Sequence, residues 1–197
     1  MPDHSCLYDM KRKPRPRWTK QVLRMKDSHS WKAPPGYNIF AADRGAVRFN
    51  FPHGWVVVPA SDCVELYDRQ PPDDDCRLAV SYLRLPPIDW SGLPLAQLIT
   101  TVVEGDHREV LARGDIVNVS RPDLEVAWTE IRFMDPQEHR EAFSRVALAR
   151  GQSLQALITF DFWADDAPRL RPVWDEVMRS VELGRYVADP TTGDVLH

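Results

Sequence analysis

The stretch from residue 154 to residue 184 constrains the fold more than any other part of the chain. Leu154, Ala156, Ile158, Phe160 and Phe162 put an apolar side chain at every second position, with Gln155, Thr159 and Asp161 between them. That two-residue period predicts a strand with one face in a core. Directly after it, Leu170, Val173, Trp174, Val177, Met178 and Val181 recur at helical spacing. Asp165 or Asp166 is placed to cap the start of this helix, Pro168 suits its first turn, and Gly184 is expected to close it in the left-handed conformation. Arg179 and Arg185 lie where the negative end of the helix dipole would be. A strand leading straight into an amphipathic helix must bury one face of each, and Trp174 is predicted at the centre of the shared stripe.

The rest of the chain supplies partners for that strand. Val47, Phe49 and Phe51 alternate with Arg48 and Asn50, then Pro52-His53-Gly54 breaks the run and Trp55-Val56-Val57-Val58 resumes it: strand, tight turn, strand. Further strands are expected over residues 63–67 and 76–85, separated by an exposed loop at Pro71-Pro72-Asp73-Asp74-Asp75, which cannot sit inside a sheet. Leu95, Leu98, Ile99, Val102 and Val103 predict a first helix, begun by Pro94 and stopped by Gly105. Strands follow over residues 115–120, 124–133 and 142–149. In the middle one the apolar phase shifts from Val126 and Trp128 to Ile131 and Phe133, which predicts a bulge near Thr129. Links this short favour antiparallel pairing, so the expected class is α+β: a mostly antiparallel sheet packed with two main amphipathic helices.

Charge divides the chain. Residues 1–32 hold nine Lys or Arg against three Asp, whereas the remainder holds sixteen Arg against twenty-six acidic residues. Residues 1–35 therefore read as a basic flexible arm whose centre, Lys11, Arg12, Lys13, Arg15 and Arg17, alternates with prolines. Residues 36–184 read as a single α/β sandwich domain and residues 185–197 as a loose C-terminal tail. Trimming by protease is expected to leave a core starting near residue 33. The arm is a candidate partner-binding element for nucleic acid or an acidic membrane, with Trp18 available for stacking, or else a solvated tail.

Chemistry is sparse. Three cysteines, Cys6, Cys63 and Cys76, cannot all pair and show no CxxC spacing; Cys63 and Cys76 read as core or near-core thiols in a reducing compartment. The histidines form no HxH or HxxxH pair, and no Gly-rich phosphate loop or GxSxG elbow is present. No enzyme activity, cofactor or metal is expected, the alternative being a small enzyme whose site shows no known motif. No apolar run is long enough to span a membrane and no signal-peptide core precedes the domain, so a cytoplasmic protein is expected.

Phe49-Asn50-Phe51-Pro52-His53-Gly54-Trp55, Leu78-Ala79-Val80-Ser81 and the closing strand and helix ending Val177-Met178-Arg179-Ser180-Val181-Glu182-Leu183 resemble the PsbP-like α/β/α sandwich. Within it they resemble the bacterial DcrB-like proteins, which include Eag-type adaptors of type VI secretion. The resemblance runs over roughly residues 36–184 and implies a non-catalytic binding or chaperone-like adaptor role, without bringing any catalytic residue. From the residues themselves, one sheet face is expected to be closed by both helices, leaving Leu157, Thr159 and Trp163 on the other. Leu157 and Trp163 are accordingly the candidate contacts for another protein or for a second copy in a homodimer.

Overall fold

The computed structural model of the protein describes residues 19–196. In chain order its elements are β1 (Tyr37–Ala42), β2 (Val47–Pro52), β3 (Val56–Pro59), β4 (Val64–Tyr67), β5 (Cys76–Arg84), α1 (Leu95–Glu104), β6 (Glu109–Arg113), β7 (Val117–Arg121), β8 (Leu124–Met134), β9 (Glu141–Gly151), β10 (Leu154–Trp163), α2 (Ala167–Ser180) and β11 (Glu182–Leu183). The alternating strand predicted over residues 154–162 is β10, and it lies at the middle of the larger sheet, ordered β3-β4-β5-β10-β9-β8-β6, with β7 also on β8. A smaller sheet is ordered β1-β2-β11. The strand pairs among the described residues are antiparallel.

The two helices lie on opposite faces of the larger sheet, which corrects the expectation that both close one face. On one side α2 and the smaller sheet enclose the main core, in which Phe49, Leu66, Leu78, Ile158, Phe160, Leu170, Trp174 and Val177 are buried. On the other side α1 covers β8 and β9 through Leu95, Ile99 and Val103 against Ala127, Ile131, Val146 and Leu148. The physical reason is visible in β8 and β9. Both carry apolar residues on both faces, so each face requires a cover.

The same fact removes the predicted bulge at Thr129. The register of β8 on β9 is unbroken from Glu125↔Arg150 to Met134↔Glu141. Leu124, Val126 and Trp128 face the main core, while Ala127, Ile131 and Phe133 lie on the α1 face. The phase shift marks where the covering element changes side. A register shift does occur between β6 and β8, at Val110 and Ala112.

The ends of α2 also differ from expectation. A 3₁₀ turn, Ala164–Asp166, precedes the helix, and the Asp166 carboxylate pairs with Arg169 (3.1 Å) instead of capping a backbone N–H. The helix stops at Ser180 because Val181 turns to extended backbone, and β11 forms before Gly184 reaches its left-handed φ of +68°. β1, β6 and β11 carry no legible period. β1 offers apolar groups on both faces, β6 is almost wholly exposed, and β11 is two residues long.

Residues 26–31 and 185–196 are held to the body. Residues 185–196 fold back on the β1–β2 turn: Val187 is buried, its N–H donates to Arg44 O (2.8 Å), and Val187 bridges Val195. In that turn Gly45 has φ +112°, and a Cβ there would lie 2.1 Å from Arg185 O, so only glycine fits. The returning segment clasps the end of the arm. Lys26 N–H donates to Thr191 O (3.0 Å), His29 Nε2 to Pro190 O (2.9 Å) and Ser30 Oγ to Gly193 O (3.1 Å), while His29 Nδ1 accepts the Trp31 N–H (2.9 Å). His29 and Trp31 are buried, and the Arg48 guanidinium lies 4.6 Å from the Trp31 ring.

A consequence can be measured. Proteolytic trimming should stop at about Lys26, and a fragment starting at residue 33 should be less stable than one starting at residue 26 by about 2 kcal/mol or more, because it lacks the buried Trp31 and the hydrogen-bonded His29. Equal denaturation midpoints for the two fragments would show that the clasp contributes nothing.

Candidate binding groove

The turn at Pro52-His53-Gly54 carries the chain from one sheet to the other. By sequence it is a simple strand-turn-strand, yet β2 pairs with β1 and β11 whereas β3 pairs with β4. Gly54, at φ +81°, makes this change of sheet possible. The outcome is a groove of about 860 Å³ between the two sheets. Its apolar lining is Phe40, Phe51 and Val64, which are buried, with Trp55, Val57 and Pro59 half-buried. Trp55 anchors that lining to the main core, its ring centroid 6.1 Å from that of Phe160.

Polar groups make up as much of the lining as apolar ones: Thr19, Lys20, Gln21, Tyr37, Asn38, Asp43 and His53 all contribute. Burial first, and then the Glu176 carboxylate, push the Tyr37 phenol up, so it stays neutral and can donate a hydrogen bond. β1 and β3 are both terminal strands of their sheets, and both border the groove. Residues 19–25 form a further wall without regular secondary structure, and their apolar members stay exposed: Val22 at 85%, Leu23 at 48% and Met25 at 38%.

Elsewhere charges answer one another. On the α1 side of the larger sheet, Tyr67 donates to Glu65 Oε2 (2.8 Å), Arg77 Nε donates to Glu65 Oε1 (3.0 Å), and Arg77 and Arg108 each lie 3.7 Å from Asp161. Arg108 also holds Asp106 in a two-pronged pair. Burial pushes the Glu65 carboxyl up, but the hydrogen bonds from Arg77 and Tyr67 outweigh it and hold the group below its ordinary value. Each carboxylate of this strip meets a guanidinium, and the strip reads as structural. At the aspartate-rich loop Asp75 pairs with Arg69, and beside the loop Asp68 accepts the Asp75 and Cys76 N–H groups and meets Arg169 at 3.1 Å.

Among the described residues no group of three or more His, Cys, Asp or Glu could hold a metal ion. Cys76 is a buried thiol pushed up by burial, as a core thiol should be. Cys63 is half-buried, 4.0 Å from Glu65 Oε1, with its thiol raised by burial and then by that carboxylate. Neither is poised as a nucleophile.

Leu157 and Trp163 share a face of β10 but are not brought together. Leu157 packs against the α1 cluster, and Trp163, at the strand end, lies under the Arg140 guanidinium at 4.9 Å. Lys11, Arg12, Lys13, Arg15 and Arg17 lie outside the described residues. The groove itself is not legible in the sequence, although one signal is present. Val56-Val57-Val58 is apolar at consecutive positions, as befits a strand contacted on both faces.

Comparison with known proteins gives the fold a family. The Alr1449 family model matches residues 38–187. The chain belongs to the Alr1449 family. It is 50% identical over 177 residues to the uncharacterized protein alr1449 of Nostoc sp. strain PCC 7120, across 89% of this chain and 92% of that one. In structure it is similar to the cyanobacterial PsbP protein CyanoP of Synechocystis sp. PCC 6803, with a TM-score of 0.53 and 16% identity over 77% of this chain and 95% of the other. It is also similar to LpqN of Mycobacterium tuberculosis, described as involved in cell envelope biogenesis, with a TM-score of 0.52 and 12% identity over 74% and 88%. The fold is thus PsbP-like, as the sequence resemblance implies. In this Alr1449-family chain the apolar groove lining, Phe40, Phe51, Trp55, Val57 and Val64, falls inside the family match, whereas residues 19–25 precede it.

Proposed function

We propose that this Alr1449-family chain is a non-catalytic protein-binding module that receives an extended apolar segment of a partner protein in the groove between β1 and β3. One observation carries this reading: a groove of about 860 Å³, bordered by the terminal strands of two sheets, whose mixed lining includes the apolar side chains Phe40, Phe51, Trp55, Val57 and Val64. A strand edge offers backbone donors and acceptors to an extended peptide, and an apolar floor takes its alternate side chains. No helix among the described residues is long and apolar enough to cross a membrane. Sheltering an apolar segment of a secreted effector, the role that the DcrB-like resemblance implies, is the sharpest form of the reading.

A photo-crosslinker placed at His53 in the native cell should capture a partner segment that mass spectrometry maps to an apolar stretch. The same group at Gln97, exposed on α1, should not. Ile39→Asp, in the groove lining, should lower capture at least about tenfold while the melting temperature stays near that of the parent, since taking one apolar side chain out of a buried interface costs about 1–2 kcal/mol of affinity. Capture of a second copy of this chain alone would replace the partner by a homodimer, and turnover of a small molecule would overturn the non-catalytic reading.

A further inference from the structure

Residues 11–26 are rich in cations, and their described part adds exposed apolar side chains. They hold eight Lys or Arg and no acidic residue: Lys11, Arg12, Lys13, Arg15, Arg17, Lys20, Arg24 and Lys26. From Asp27 onward the chain holds seventeen Lys or Arg against twenty-seven Asp or Glu, a net charge of −10. Threaded among the cations are Trp18, Val22, Leu23 and Met25, and the last three are large apolar side chains left exposed on the described surface. Three neighbouring exposed apolar groups flanked by cations are costly to leave in water and call for a matching surface.

We propose that this segment attaches the protein to an acidic lipid bilayer. The anionic headgroup layer complements the cations, and the boundary of the hydrocarbon accepts Val22, Leu23 and Met25. A nucleic-acid backbone would satisfy the cations but offers nothing to those three side chains. The clasp supplies the geometry. Lys26 is tied to the body through its N–H on Thr191 O and its ammonium 3.9 Å from Asp189, so the attachment point is fixed one residue after Met25. Residues 19–25 are also one wall of the groove, so attachment turns the groove toward the membrane. The proposal stands independently of what the groove binds.

Vesicle flotation of the full chain tests it. The protein should float with vesicles of equimolar phosphatidylcholine and phosphatidylglycerol and not with phosphatidylcholine alone. Replacing Lys11, Arg12, Lys13, Arg15 and Arg17 by Gln should weaken binding more than about 100-fold. Val22→Ser, Leu23→Ser and Met25→Ser together should abolish the part of the binding that survives physiological salt, because screening removes the electrostatic share and leaves the apolar one. All of these variants are expected to fold, and circular dichroism of each confirms it. No flotation with the acidic vesicles at low salt would overturn the proposal. So would unchanged binding by the triple serine variant, or full competition by a single-stranded oligonucleotide with no salt-resistant fraction, which would make the segment a nucleic-acid contact.

Discussion

Trp174→Ala should reduce the stability of the protein by about 3–5 kcal/mol, a large share of the roughly 5–15 kcal/mol typical of a domain. Trp174 is 1% exposed and lies between two rings that belong to different strands. Its ring stacks over Phe160 at 6.1 Å with an interplanar angle of 11°, and meets Trp128 edge-on at 5.6 Å. Removing it therefore empties the space between α2 and the larger sheet. Its indole N–H makes no hydrogen bond among the described residues, so Trp174→Phe should cost clearly less, keeping most of the apolar area without leaving a broken polar pair. Urea denaturation with both midpoint and slope recorded decides the matter. A decrease under about 1 kcal/mol for the alanine variant would place the centre of the core elsewhere.

Glu130→Ala should cost about 2–3 kcal/mol, although Glu130 is only partly buried, because of what it leaves behind. Arg145 is 5% exposed, and its Nε donates to Glu130 Oε2 at 2.7 Å. Around its guanidinium lie the rings of Phe162, Trp174 and Trp128, at 5.3, 5.8 and 5.9 Å. Ring faces attract a cation but do not replace a carboxylate, so the single variant strands a buried charge. Adding Arg145→Met should restore stability to within about 1 kcal/mol of the parent, since the methionine fills the aromatic box without charge. The two changes would then be strongly non-additive in a double-mutant cycle. Additive effects would mean that the rings, and not Glu130, hold the cation.

Trp174 and Arg145 meet in one core, yet only the first is legible in the sequence. The last strand and helix, the first helix and the antiparallel plan follow from local period alone, because their apolar residues recur at two or 3.6 and one face of each is covered. Trp174 sits in the middle of such a stripe. Arg145, by contrast, interrupts the run from Ala142 to Ala149 as any solvent-facing charge would, and only the approach of Phe162, Trp174 and Glu130 from three other elements makes it buried.

The fold class, the amphipathic faces of the helices and the cationic character of residues 11–26 can be read directly from the chain, since period and charge are properties of neighbours along it. Which face each element covers cannot. The placement of α1 and α2 on opposite faces, the clasp between residues 26–31 and 189–193, and the groove between β1 and β3 all depend on residues far apart in sequence coming together. A two-residue period states that a strand has two faces. It takes the packing of the whole chain to say what each of them meets.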